Sequence, residues 1–456
     1  MCHLLAKLLY NIVALSNQLV YLCVMKSIIK QAIKMKMTRV SLLMLVMWLS
    51  LTSMTTLNAC GNRVNKVAAH TADGSQHQPA VAEQASGEVV VGAACTSDYV
   101  PMLAGKRVAL LSNQTGMVGD KHTLDLMLEQ GVNVVTIFSP EHGFRGKADA
   151  GEHVSSSVDE KTGIPIASLY DGKSPMPSKQ VMDGIDVIVT DIQDVGLRFY
   201  TYYVTMINLM DAAVTYGKQF MVLDRPNPNG MYVDGPILDM SLKSGVGRLP
   251  IPTVHGMTLG ELAQMANGEK WLKDGKKCEL TVIPCKNYTH QTRYILPIAP
   301  SPNLPNMLSI YLYPSMCYFE GTTVSLGRGT DWPFQVYGHP DMTGYDFEFT
   351  PTSRPGAKTP TQMDRLCHGV DLHALDAEDV IAKGINLEYI IDAYRNLTKG
   401  GHQFYLKNNF FDLLMGTTRV REMIAQGKSA DEIKATWQAD VDLFKVQRRP
   451  YLLYAE

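Results

Sequence analysis

The sequence predicts an α/β protein: a parallel sheet covered on both faces over residues 98–235, followed by a smaller mixed α+β domain over 236–456. Three observations predict it. Short β-branched or otherwise apolar runs alternate with helical spacing from about Tyr99 to Leu223, the pattern of strands buried on both sides between helices. Polar clusters recur directly after those runs. Beyond Pro236 the texture shifts to proline-rich extended segments. The 456 residues exceed one ordinary domain of about 100–200. Apolar residues at 46% and charged ones at 19% suit a packed globular chain rather than a disordered one. Lys and Arg number 42 against 44 Asp and Glu, a net charge of -2, which argues against a nucleic-acid binder relying on a broad basic surface. Eight cysteines are too sparse for a disulfide scaffold.

The first sixty residues have a different character. Lys34, Lys36 and Arg39 precede an almost wholly apolar run from Val40 to Leu51, and small and polar residues follow up to Leu57-Asn58-Ala59-Cys60-Gly61. This is the order of a secretory signal. The run is short for a membrane span, which needs about 20 residues. Its ending resembles a bacterial lipobox, which makes Cys60 the expected lipidated residue and places the protein in the cell envelope, lipid-anchored and facing the periplasm. The stretch before Met35 or Met37 does not suit a signal, so one of these is the expected true start. Residues 61–97 read as a polar tether.

Within the first domain, Arg107–Leu111, Val132–Phe138, Ile164–Leu169, Asp186–Ile192 and Phe220–Leu223 are the predicted strands. Thr123–Gln130 and Tyr203–Tyr216 are the predicted helices. Asn113 follows the first strand and Ser139-Pro140-Glu141-His142-Gly143-Phe144-Arg145-Gly146 the second. Asp191 to Arg198 and Asp224 to Gly230 follow two others. Open α/β sheets bind ligands at the carboxyl ends of their strands, so these groups are expected to converge on one crevice. No Gly-x-Gly-x-x-Gly follows the first strand, and Gly172-Lys173-Ser174 is followed by prolines that obstruct a P-loop helix.

In the second half, Leu280–Ile283 and Thr322–Leu326 read as strands. Thr258–Asn267, Leu387–Leu397, Phe411–Gln426 and Ala430–Phe444 read as helices, the first opening on a capping box of Thr258 and Glu261. Cys278 and Cys285, close in sequence on extended chain, are expected as free buried thiols. Glycines flank a Glu and an Arg in Phe319-Glu320-Gly321-Thr322 and Gly327-Arg328-Gly329-Thr330, a pattern for backbone lying close to a ligand.

Together with Asp191–Tyr202, Leu223–Pro228 and His255-Gly256-Met257-Thr258, these motifs resemble the exo-β-N-acetylmuramidase family, long catalogued as a domain of unknown function. The resemblance covers roughly Val100 to the carboxyl terminus. It implies a Rossmann-like first domain, a smaller second domain and an active-site cleft between them. It also implies removal of β-1,4-linked N-acetylmuramic acid from the non-reducing ends of peptidoglycan fragments, with no nucleotide. No other cofactor and no metal are expected, since no candidate ligands have the helix spacing of a metalloprotease. Val254 stands where a basic residue is expected, and Asn229-Gly230 where a more apolar loop is expected. Both departures bear on fine substrate preference.

Glycoside cleavage needs an acid for the leaving oxygen and stabilisation of an oxocarbenium-like carbon. Glu141 is the expected acid, with His142 orienting it or binding a hydroxyl. Glu320 is the first choice for the second carboxylate, and Asp191, Asp194 and Asp224 compete for that role. The substrate's acetamido group is a further candidate nucleophile. The lactyl carboxylate of muramic acid calls for a guanidinium, for which Arg198, Arg225 and Arg328 are candidates. Tyr200 and Tyr202 are candidates to stack on the ring. Asn113, Asn227, His255 and Thr330 complete the expected substrate-binding set. His153 or the segment Glu152–Thr162 is the expected closing loop. Two rival readings remain at this point: a non-catalytic glycan-binding lipoprotein, and a metal-dependent hydrolase using Glu141, His142, His153, Asp191 and His255.

Overall fold

Residues 87–141, 143–144, 157–169 and 176–456 are described by a computed structural model. The signal, Cys60 and the tether up to residue 86 lie outside them, as do His142, His153 and the P-loop-like Gly172-Lys173-Ser174. Strand β1 (Val108–Ser112) is buried throughout, and a two-residue hairpin, β2 (Met117–Val118) and β3 (Lys121–His122), follows it. Then come β4 (Val134–Ser139), β5 (Ser157–Val158), β6 (Pro165–Ser168), β7 (Val187–Asp191), β8 (Gln219–Leu223) and β9 (Glu279–Ile283). The large sheet has the order β5-β6-β4-β1-β7-β8-β9 and is parallel except for the β5–β6 pair. The large sheet therefore takes its last strand from beyond Pro236.

Side chains alternate across this sheet. Ala109 and Leu111 of β1 join one apolar cluster, with Ile188, Phe220 and Val222. Val108 and Leu110 join the other, with Val187, Val189 and Met221. Two buried faces explain why the strands read as continuous apolar runs. The chain runs outward from β1 through β4 to β6, then returns to β7 on the other side of β1. The switch point of the sheet thus lies between β1 and β7, where doubly wound sheets open a crevice.

The helix Leu259–Gly268 begins on the expected capping box, in which Thr258 and Glu261 cap each other's backbone N–H. The smaller antiparallel sheet orders β10 (Val336–His339), β12 (Cys367–Asp371) and β11 (Phe347–Phe349). Thr322–Leu326 makes only isolated bridges, Thr322 to Tyr405 and Ser325 to Gly338, instead of the expected strand. The Thr322 hydroxyl donates to Phe319 O and accepts from Val324 N, a local turn that competes with a ladder. The helix expected over Phe411–Gln426 is two, Phe410–Met415 and Arg419–Ala425. Gly416 ends the first in the left-handed region (φ 76°), and a Cβ there would lie 2.6 Å from an Arg198 nitrogen. Ala430–Phe444 likewise divides into Ala430–Lys434 and Gln438–Arg448, on either side of buried Trp437, whose indole donates to Asp234. Cys95, Cys278, Cys285, Cys317 and Cys367 are free and buried.

Candidate active site

Because β1, β4, β7 and β8 are parallel, the polar segments after them all leave the same edge of the sheet. Glu141, two residues past β4, reaches the first residue of the helix Thr201–Tyr216, where the Thr201 hydroxyl donates to its Oε2 at 2.5 Å. Opposite, the helix Met307–Met316 runs into a 3₁₀ turn, Cys317–Gly321, that carries Glu320. Arg328 donates to Glu320 Oε1 at 2.7 Å, and its guanidinium lies 5.0 Å from the Phe334 ring centroid. Phe334 holds a left-handed backbone (φ 61°), a costly conformation for a bulky residue, and its N–H donates to Leu326 O.

Glu141, Glu320 and Arg328 line one cavity of about 300 Å³. Its walls are aromatic. Tyr200 and Tyr202 meet edge to face at 4.7 Å, and Tyr313 packs edge-on against Phe199 at 5.2 Å and Phe334 at 4.7 Å. The Tyr202 hydroxyl donates to Pro300 O at 3.0 Å, whereas the Tyr200 hydroxyl is buried without a hydrogen-bond partner among the described residues. Phe144 belongs to the apolar cluster of Val108 and Leu110. A larger cavity, about 480 Å³, lies against the helix Ala377–Lys383, but among the described residues Asp379 is the only acid in its lining.

Asn113, Asp191, Asp194, Arg198, Asp224, Arg225, Asn227, His255 and Thr330 do not line the shared cavity. Arg198 is fully buried and donates to three carbonyls, of Pro236, Ile251 and Leu414. Arg225 is buried and grips both oxygens of Asp191, at 2.6 and 3.0 Å. Neither guanidinium is available to a substrate carboxylate, and Asp191 is not available as a second acid. Asp224 accepts from the hydroxyls of Thr258 and Tyr454, both at 2.6 Å, and from Gly260 N at 2.8 Å, while burial pushes its pKa up to about 6. Asp194 accepts from Gly196 N at 2.7 Å, and burial outweighs its backbone donors, raising it to about 7. Asn113 Oδ1 takes the Thr115 N–H and hydroxyl, and Asn227 ties Asn229 N to Met257 O. Thr330 closes its own turn on Gly327 O. His255 Nδ1 accepts from Met257 N, and burial, assisted by Arg448 and Arg198, depresses it to about 3. These groups are tied into the protein's own hydrogen bonds and do not line the cavity.

Asp191 and His255 thus sit in separate bonding sets, and among the described residues no group of three His, Cys, Asp or Glu is placed to hold a metal ion. Sequence reasoning gave no role to Thr201, although it stands inside the Arg-Phe-Tyr-Thr-Tyr motif. It also passed over Tyr313, which lies in a segment without a recognisable pattern, and gave no role to Phe334, which ends the glycine-rich cluster begun at Gly327.

The model of the N-terminal region of exo-β-N-acetylmuramidase NamZ matches residues 108–308, and that of the C-terminal region matches 311–454. The peptidoglycan β-N-acetylmuramidase NamZ of Bacillus subtilis (strain 168) is 38% identical over 375 residues, covering 78% of this chain and 89% of that protein. Two crystal structures of DUF1343 family proteins from Bacteroides fragilis are similar. One is 61% identical with a TM-score of 0.76, over 81% of this chain and all of that one. The other is 30% identical with a TM-score of 0.69, over 80% and 99%. With its sheet, its cleft and nearly all of its described length accounted for, this chain belongs to the exo-β-N-acetylmuramidase NamZ family.

Proposed function

We propose that this chain is an exo-acting glycoside hydrolase that releases β-1,4-linked N-acetylmuramic acid from the non-reducing ends of peptidoglycan fragments, in cell-wall turnover and recycling. The observation that carries the reading is the pair of carboxylates, Glu141 and Glu320, brought from distant segments onto one cavity of pyranose size with aromatic walls. Glu141 protonates the leaving oxygen, and Thr201 fixes the direction of its carboxyl group. Glu320, bonded to Arg328, faces the positive charge that develops at the anomeric carbon. The rings of Tyr200, Tyr202 and Tyr313 cover the pyranose face. Glu141→Gln keeps the shape and removes the acid. Turnover of a chromogenic β-N-acetylmuramide is expected to fall by about 10²–10⁴-fold while product binding stays within a few-fold. Undiminished turnover removes Glu141 from the role.

The same reading includes a lipid anchor at Cys60 and a periplasm-facing position, supported by the basic, apolar and small-residue order of 34–61. Cys60→Ser is expected to abolish metabolic palmitate labelling and move the protein to the soluble fraction. Labelling that persists rules the anchor out.

A further inference from the structure

The loop from Leu326 to Gln335 puts two side chains on the candidate cavity, Arg328 and Phe334. The loop closes on itself. The Thr330 hydroxyl donates to Gly327 O at 2.7 Å and accepts from Trp332 N at 3.0 Å, and Phe334 N donates to Leu326 O at 2.8 Å. Three of its residues have a left-handed backbone: Gly327 (φ 83°), Gly329 (φ 79°) and Phe334 (φ 61°). The two glycines also stand where there is no room for a side chain, since a Cβ at either would lie 2.4 Å from a carbonyl oxygen. A third glycine at 334 would relieve the backbone in the same way, yet that position holds a large ring.

That ring is buried, and its surroundings are not wholly apolar. Tyr313 packs edge-on against it at 4.7 Å, and the Arg328 guanidinium lies over it, 5.0 Å from the centroid. A guanidinium is attracted to the negative face of an aromatic ring, which an aliphatic side chain of similar bulk does not offer. Arg328 in turn donates to Glu320 Oε1 at 2.7 Å. The other oxygen, Glu320 Oε2, accepts no hydrogen bond from any described residue, and Glu320 lines the cavity. Arg328 is thus seated between a ring and a carboxylate, and it engages one oxygen of that carboxylate while leaving the other uncommitted.

We propose that Phe334 is a positioning residue of the glycosidase: its ring fixes the Arg328 guanidinium and, through it, the orientation of Glu320, so that Oε2 stays directed at the anomeric carbon. This rests on the glycosidase reading above, in which Glu320 faces the charge that develops there. A carboxylate stabilises such a charge best when it need not reorient as the charge forms, which requires its own partner to be held in place. The costly backbone at 334 then has a use, since it delivers the ring to the face of the guanidinium.

The test keeps the shape of the ring and changes its charge. Phenylalanines bearing one, two and three fluorines are introduced at position 334 of the whole protein, with Arg328 intact and in an Arg328→Met background. Fluorine withdraws negative charge from the ring face with little change in size. With Arg328 intact, kcat on the chromogenic β-N-acetylmuramide is expected to fall about twofold per fluorine with KM nearly unchanged, and in the Arg328→Met background to stay level across the series. A level series with Arg328 intact, the result for a ring that only packs, overturns the proposal. So does an equal slope without Arg328, the result for a ring that acts on the sugar directly. Wild-type protein that cleaves no muramide defeats the glycosidase reading instead. NMR of the isotope-labelled Arg328 guanidinium decides the positioning without catalysis: rotation about the Nε–Cζ bond that is slower with the native ring than with the trifluorinated one or in Phe334→Leu supports it, and equal rotation in all three overturns it.

Discussion

Arg198, Arg225 and Arg328 carry the same charge, and the fold uses each differently. Arg198 neutralises no acid among the described residues. Its guanidinium ties carbonyls of Pro236, Ile251 and Leu414, joining segments 216 residues apart in sequence. Arg225 forms a buried bidentate pair with Asp191, and breaking such a pair costs about 3–5 kcal/mol because one charge is left uncompensated. Arg328 alone reaches the cleft. The same contrast separates Glu141 from the buried aspartates, and it makes Thr201 the informative neighbour. Thr201→Val keeps the size, branching and helix position but deletes the donor to Glu141. A fall in kcat of about tenfold with KM nearly unchanged is expected from steady-state kinetics on the muramide, the pattern of a positioning residue. Equal losses in kcat and in glycan binding would instead mean that Thr201 holds the ground-state sugar. Glu141, Glu320, Arg328, Tyr200 and Tyr202 were legible because each stands in a turn signature next to a strand or glycine pair. The roles of the arginines were not, since burial is decided by residues that meet only in the folded chain.

At the scale of elements, strands of the large sheet announce themselves because both faces are apolar, so no alternation is needed to recognise them. The same holds for the helix after Thr258, whose cap is written in four consecutive residues. The smaller sheet is harder. Its central pairing sets Gly338 opposite Gly369, residues that carry no strand signal, and β11 has only three residues. The break at Gly416 has a reason no local pattern contains: the helix must stop where Arg198 arrives, and glycine provides both the left-handed turn and the room. Thr322–Leu326 fails as a strand for the opposite reason, a purely local hydroxyl bond that the β-branched composition concealed. Helix boundaries near the cleft are therefore set by the packing of the second half against the sheet edge, and propensity decides only where nothing arrives to override it.

For the whole molecule, three buried titratable groups, Asp194, Asp224 and His255, make stability depend on pH from two directions. Asp194 and Asp224 are raised to about 7 and about 6 from a reference near 3.9, so the folded state holds protons that the unfolded chain releases. Their stabilisation is complete below about pH 4 and is lost as pH rises through those folded values. His255 is depressed to about 3 from a reference near 6.5, so its contribution is complete above pH 6.5 and is lost as pH falls toward 3. The molecule is squeezed between the two, and Asp194 governs the alkaline side because its folded pKa is the highest of the three. Asp194→Asn removes the titration while retaining an oxygen for Gly196 N. Thermal unfolding at pH 5 and pH 8 is expected to show a smaller drop in Tm across that interval for the variant than for wild type, by several degrees. A variant whose Tm falls as steeply as wild type between the two pH values would mean that Asp194 is already ionised in the folded protein, and that the charge it carries is stabilised by the backbone donors of its own loop.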